Sequence, residues 1–186
     1  MNTVSGTSVK NTLETRYQNA RGNLLWIVAF TVINIVLLVA DGNSYFLFSA
    51  YIPYMMASLG MFLCGMFPQE FYGEEFAGVE FFEPTVFWIF MGIAAVMVAL
   101  YLISWICSKR NRVGWLVFAL TIFAVDTLGM LVLGGFSTDS IVDIVFHVWV
   151  IISLSLGVYS GYKLKKLPPE EPAPELEAAE QGTVRR

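Results

Sequence analysis

The sequence predicts an all-α integral membrane protein, a bundle of five hydrophobic helices. Three observations predict it. Of 186 residues, 56% are hydrophobic and only 14% charged, too apolar a balance for a water-soluble domain. The charges are segregated: between residues 113 and 162 there are three acids (Asp126, Asp139 and Asp143) and no lysine or arginine. A bilayer demands this, because a charge at its centre costs from about 2.5 kcal/mol upward. Finally, the apolar residues fall into runs of about 20, the length that crosses about 30 Å of hydrocarbon.

Residues 1–22 are a polar arm in which Lys10, Arg16 and Arg21 accompany a single Glu14. Leu13, Tyr17 and Ala20 recur at helical spacing, so a short juxtamembrane helix from about Leu13 leads into the first span. The arm precedes the first run and no small-residue cleavage site follows it, unlike a cleavable signal peptide. The expected spans are 23–40, with Trp26 and Asn34; 45–67, with Pro53 near its centre; 85–107, with Trp88 and Trp105 near its ends; 113–133, opened by Trp115; and 140–162. Tryptophans at span ends are interfacial anchors.

The linkers are short, so neighbouring spans pack antiparallel. Residues 41–44 (Asp-Gly-Asn-Ser) and 134–139 (Gly-Gly-Phe-Ser-Thr-Asp) are turns by composition. The one sizeable loop, 68–84, alternates five glutamates (Glu70, Glu74, Glu75, Glu80, Glu83) with Phe71, Tyr72, Phe76, Phe81 and Phe82. It reads as an outer interfacial segment with its rings at the headgroups and its carboxylates in water, without the ligand order of a calcium loop. Residues 163–186 are a basic stop followed by a Pro/Glu-rich tail that cannot bury a core and is expected to be disordered.

Basic residues near spans stay in the cytoplasm. Lys109, Arg110 and Arg112 set the third–fourth turn inside, and Lys163, Lys165 and Lys166 set the end of the fifth span inside. The two agree, because two spans separate them, and they make the C-terminus cytoplasmic. The start of the chain does not agree. Five true spans place the N-terminus outside, with Lys10, Arg16 and Arg21. If 45–67 is instead re-entrant, the N-terminus is inside and every near-membrane basic group obeys the rule.

The candidate site is polar and intramembrane: Asp126, Asp143 and His147, the only histidine. An antiparallel hairpin that turns near Phe136 and Ser137 puts Asp126 and His147 at one depth, and Asp143 is one helical turn from His147 on the same face. Ionisable groups at such depth are candidates for a proton relay, a cation site or a substrate anchor, the alternative being a structural pair that holds two helices together. Asn34, Thr31, Thr121 and Thr127 read as interhelical glue. Ser153-x-x-x-Gly157-x-x-x-Gly161 lets another helix come close, within the bundle or in a partner, and Ala95-x-x-x-Ala99 is a weaker version. Cys64 and Cys107 are expected near opposite faces, without a disulfide.

No cofactor, metal or covalent-catalysis signature is present: no phosphate-cradling Gly-rich loop, no His-Glu-x-x-His, no Gly-x-Ser-x-Gly. The basic residues are accounted for by topology, so nucleic acid is not an expected partner. Residues 23–54, especially Tyr45-Phe-Leu-Phe-Ser-Ala-Tyr-Ile-Pro-Tyr54, resemble the opening of small uncharacterised bacterial polytopic membrane proteins. That likeness implies a bacterial plasma membrane and no particular activity. Size and span count also resemble the substrate-capture subunits of vitamin transporters, in architecture alone. The expectation is a small transporter, or the membrane subunit of a transport complex, for an unknown small molecule. The competing expectation is a non-catalytic scaffold that meets a homo-oligomeric or other membrane partner; an enzyme acting on lipid ranks below both.

Overall fold

The computed structural model describes residues 3–41, 49–76, 78–134 and 140–168. Among them all regular structure is helical: α1 (Thr3–Asp41), α2 (Tyr51–Leu63), α3 (Pro84–Cys107), α4 (Val113–Leu133) and α5 (Ser140–Lys166), with 3₁₀ turns at Gln69–Phe71 and Glu74–Phe76. Four helices are long and apolar enough to cross a membrane: α1 over Ser8–Ala40, α3, α4, and α5 over Ile141–Lys166. They are apolar on every side. Trp26, Trp88, Val96, Leu128, Val132 and Val145 point outward while Leu24, Ile27, Leu116, Phe123, Val150 and Leu154 fill the core. A helix that is apolar all round and still exposed belongs in lipid.

The second apolar run gives no helix long enough to cross among the described residues. It yields only the 13-residue α2, about 20 Å at 1.5 Å per residue, short of the roughly 30 Å of a bilayer core. Ala50 is extended, and the helix cannot begin earlier because its first amides are held by side chains of other helices. It stops in a Schellman motif: Met66 N–H donates to the Met61 carbonyl (3.0 Å) and Gly65 N–H to that of Phe62 (3.2 Å), with Gly65 left-handed at φ 66°, a conformation open to a residue without Cβ. Phe82 N–H reaches the Leu63 carbonyl (3.0 Å). Five apolar helices are present as expected, and α2 alone among them is too short to be a span by its length.

The juxtamembrane helix expected from about Leu13 and the first span it leads into are one 39-residue helix that begins earlier, at Thr3. Leu13, Tyr17 and Ala20 do form its buried face. α5 packs antiparallel against both α1 and α4, and the Ser153, Gly157 and Gly161 stripe is where it meets them. A β-carbon at Gly157 would collide with the Ala20 methyl of α1, and one at Gly161 would lie 2.6 Å from Val113 Cγ2 and 2.9 Å from the Tyr17 ring. Asn23 Nδ2 donates to Ser153 Oγ (2.6 Å). The stripe closes the bundle from within, so it is not a free face for a second chain.

The same contacts gather the basic residues. Tyr17 Oη donates to the Ser108 carbonyl (2.6 Å). Buried Arg21 donates from Nε to Ser108 Oγ (2.9 Å) and from Nη2 to the Trp105 carbonyl (3.2 Å), so a cation sits on the carbonyl-rich end of α3, where it is favoured. The turn after α3 carries two left-handed residues, Arg110 (φ 56°) and Asn111 (φ 57°), and is tied down by Asn111 Nδ2 donating to the Gly161 carbonyl (3.2 Å). The arm with Arg16 and Arg21, the turn with Lys109, Arg110 and Arg112, and the Lys163, Lys165 and Lys166 end of α5 therefore share one end of the bundle. Five spans would have separated the arm from the other two.

At the opposite end the 68–84 loop is folded rather than a loose strip. Tyr72 and Phe67 are buried, and the Tyr72 hydroxyl accepts the Phe67 N–H (3.1 Å) and donates to the Phe62 carbonyl (3.2 Å). Glu70, Glu74, Glu80 and Glu83 remain exposed. Pro84 opens α3 behind an extended Glu83, as proline at a first helical position should. Cys64, whose thiol meets the Glu83 carbonyl (3.3 Å), and Cys107 lie at opposite ends of α3, both as free thiols. The tail expected to be disordered and most of both predicted turns lie outside the described residues.

Gly157→Ala should lower stability by about 1–3 kcal/mol, the usual range for overpacking. Ala20→Gly in the same chain should restore part of it. Unfolding midpoints of the two variants in detergent check this, and an unchanged midpoint in Gly157→Ala would show the contact to be loose.

Candidate functional site

The start of α2 is inside the bundle, and a helix start leaves four amides without partners. The accounting closes completely here. Ala50 N–H donates to Thr31 Oγ1 (2.9 Å). Tyr51 N–H donates to Asp126 Oδ2 (2.9 Å) and Ile52 N–H to Asp126 Oδ1 (2.8 Å). The fourth position is Pro53, which has no N–H to satisfy. Just before the helix, Ser49 Oγ accepts Asn34 Nδ2–H (2.7 Å). One carboxylate on α4 thus straddles the end of α2, where the helix dipole favours negative charge.

Asp126 lies about 20 Å along α4 from Val113, well inside the apolar layer. Its second partner is His147 of α5, with Nε2 3.3 Å from Oδ2. The equal depth expected from the hairpin is therefore real, and the two side chains also face each other. Asp143 joins through its main-chain carbonyl, 2.8 Å from His147 Nδ1. A carbonyl only accepts, so Nδ1 carries a hydrogen. An unprotonated Nε2 against a carboxylate would oppose two acceptors in a buried site. A proton therefore lies between them, either as an imidazolium–carboxylate ion pair or as a neutral hydrogen bond. The imidazole is stacked on Phe123 (centroids 5.0 Å apart, planes 16° apart) and meets the edge of Phe146 (5.8 Å, 89°).

The site is sealed. Asp126 is 0% and His147 1% exposed, so both are shut away from solvent. Tyr101 of α3 is packed edge-on against Phe123 (6.4 Å). Its hydroxyl is buried with no hydrogen-bond partner among the described residues. No three His, Cys, Asp or Glu side chains converge as a metal would require, again among the described residues.

Sequence reasoning named Asp126, His147, Thr31 and Asn34 but not what they hold. The amides of Tyr51 and Ile52 were missed, although Pro53 was a usable signal, since proline sits comfortably in the first turn of a helix. Thr31 and Asn34 bind the segment that leads into α2 rather than a neighbouring span. Thr127 bonds its own helix, donating to the Phe123 carbonyl (2.8 Å), as Thr121 does to that of Val117 (3.0 Å). Arg21 and Ser108, read only as charge and turn, form the buried lock at the basic end. Compared with known proteins, the chain matches no family model, no curated protein and no solved structure. The fold and site therefore define a class only: a multi-pass helical membrane protein with four long apolar helices and one short one.

Asp126→Ala strands two buried amides and His147 together, and should cost about 3–5 kcal/mol, the range for removing one member of a buried pair. In a double-mutant cycle with His147→Ala the two losses should be non-additive. Denaturant titrations of the four proteins measure the coupling, and additive losses would mean the pair does not interact.

Proposed function

We propose that the protein is a small membrane transporter, or the membrane subunit of a transport complex, in which α2 is the element that opens. One observation supports this above the others: a helix that starts inside the apolar layer with its first amides held by an ionisable side chain. Broken helices at membrane depth are tolerated where they border a site or cavity, and transport proteins build their sites from such half-helix ends. A purely structural bundle could have run the second apolar stretch straight across. The sealed pair corresponds to the closed state of such a site. The scaffold alternative would have to work without the Ser153, Gly157 and Gly161 stripe, which is covered by α1 and α4, and rest on the Pro/Glu tail.

The distribution of charge supports a cytoplasmic basic end. Between residues 41 and 84 there is no lysine or arginine, while the arm, the 108–112 turn and the end of α5 gather theirs at the other face. This reading places the described ends of α1 and α5 in the cytoplasm and the glutamate loop outside, in the plasma membrane of a bacterium if the likeness of residues 23–54 holds. In a background without native cysteines, Asn11→Cys and Leu167→Cys should resist an impermeant thiol reagent in intact cells, and Glu80→Cys should react. Labelling of Asn11→Cys from outside would refute this orientation.

Native mass spectrometry of the protein, extracted gently from its own membrane, tests the transport reading. A bound small molecule is expected, and it should be absent from Asp126→Asn. A stoichiometric second protein with no small molecule in either form would overturn the reading in favour of a scaffold.

A further inference from the structure

We propose that a groove at the basic end of the bundle binds one anionic phospholipid, a phosphodiester monoanion whose headgroup carries hydroxyl groups. The site is independent of the transport reading. The groove holds about 470 Å³ between the arm of α1, the turn after α3 and the end of α5. Arg110 of the turn and Lys10 of α1 both line it. No carboxylate forms a salt bridge with Arg110 among the described residues. Arg110 also holds a left-handed backbone, φ 56°, which a residue with a β-carbon adopts only at a cost. Glycine or asparagine would serve such a turn better, and Lys109 and Arg112 already mark this side of the membrane. The turn itself therefore does not account for an arginine at this position.

Glu14 lines the groove as well, so two cations and one acid leave one net positive charge. That balance matches a phosphate diester, which carries one negative charge. Asn111 is a further wall residue. Its Nδ2 is engaged by the Gly161 carbonyl (3.2 Å), and its Oδ1 is buried with no hydrogen-bond partner among the described residues. Gln18 Oε1 accepts from Arg21 Nη1 (2.6 Å), which leaves the Gln18 amide hydrogens as donors. The groove thus sets acceptors, Glu14 and Asn111, beside donors, Lys10, Arg110 and Gln18. A bare phosphate uses donors alone. A phosphodiester with a glycerol headgroup uses both, its phosphate oxygens accepting and its hydroxyls donating.

Two observations favour a lipid over a soluble ion. The groove lies at headgroup level. Lys163, the residue before Leu164 of its wall, stands over the Tyr159 ring (4.7 Å), and Lys109, the residue before Arg110, over the Trp105 ring (5.6 Å). Rings with lysines reaching past them mark the membrane interface, and basic pockets between spans there hold lipid headgroups. The α5 side of the groove is also apolar, formed by Leu164, Leu167 and Pro168, a surface for acyl carbons and of no use to a soluble ion.

Lipid-depleted full-length protein in detergent is titrated with dioleoyl phosphatidylglycerol or with the phosphatidylcholine of the same chains, and native mass spectrometry counts the bound lipids. One phosphatidylglycerol should bind saturably and more tightly than phosphatidylcholine. Arg110→Asn, neutral and at ease in a left-handed turn, and Lys10→Gln should each weaken it at least about fivefold, the effect of one near-surface cation. Arg110→Asn should do so without a lower unfolding midpoint. Lys166→Gln, at the same end but outside the groove, should change binding less than about twofold, because separate exposed charges are screened. Equal losses in all three variants would show diffuse attraction and overturn the proposal, as would equal binding of the two lipids. Displacement by glycerophosphoglycerol, the headgroup without chains, at the lipid's own concentration would make the ligand a soluble phosphodiester and overturn the lipid assignment. Phosphatidylglycerol bound only after truncation behind Pro168 would give the groove to the acidic segment that holds Glu170 and Glu171, and overturn the proposal for the intact chain. The lipid should persist in Asp126→Asn, unlike the small molecule expected at the transport site, so the two readings fail separately.

Discussion

A backbone amide inside a bilayer has no water to fall back on, so every amide must find a partner within the protein. Helices that cross completely meet this constraint by themselves. α2 is too short to do so, and at its beginning other helices supply what the membrane withholds. Thr31 of α1 and Asp126 of α4 do so, and His147 of α5 holds Asp126 in turn. Three spanning helices are thereby tied to one short helix through a handful of hydrogen bonds. Because those bonds are buried, each is electrostatically stronger than it would be at a surface, and each is more damaging if left unmade.

The two ends of the bundle solve different problems. At the basic end the carbonyls closing α3 meet Arg21 and Tyr17 from α1, and the small-residue face of α5 lets α1 and α4 approach it closely. That end is dense, cross-braced and positively charged. At the acidic end α2, the 3₁₀ turns and the start of α3 enclose a second, separate cluster around Phe67, Tyr72 and Phe87. The Asp126 junction lies between the two clusters and connects them.

Much of this was legible in the sequence, for physical reasons that can be named. Long apolar runs announce spans because hydrocarbon thickness is nearly constant. The depth match of Asp126 with His147 followed from one short turn and antiparallel packing. The Leu13, Tyr17 and Ala20 face followed from helical period. What stayed hidden was the start of α2. Hydropathy reports how much of a chain is apolar, not where in an apolar run a helix begins, and the acceptor that fixes the start comes from a residue far along the chain. Asp143 was named for its carboxylate, whereas the contribution described above is its carbonyl, and a main-chain group leaves no mark in the residue type. Arg21 was weighed as one positive charge among several, although its burial against Ser108 makes it a structural cap.

The contact between Asp126 and α2 is made entirely to main-chain nitrogen. Relatives of this chain could replace Tyr51 and Ile52 by almost any residue except proline without loosening it. Paired substitutions, the usual trace of two residues in contact, would therefore not accumulate between α4 and the start of α2. The constraint would appear instead as an intolerance of insertions and deletions between Ser49 and Pro53, where a slip of one residue would rotate the wrong amides toward the carboxylate. Gaps in an alignment, more than matched letters, would carry the record of this junction.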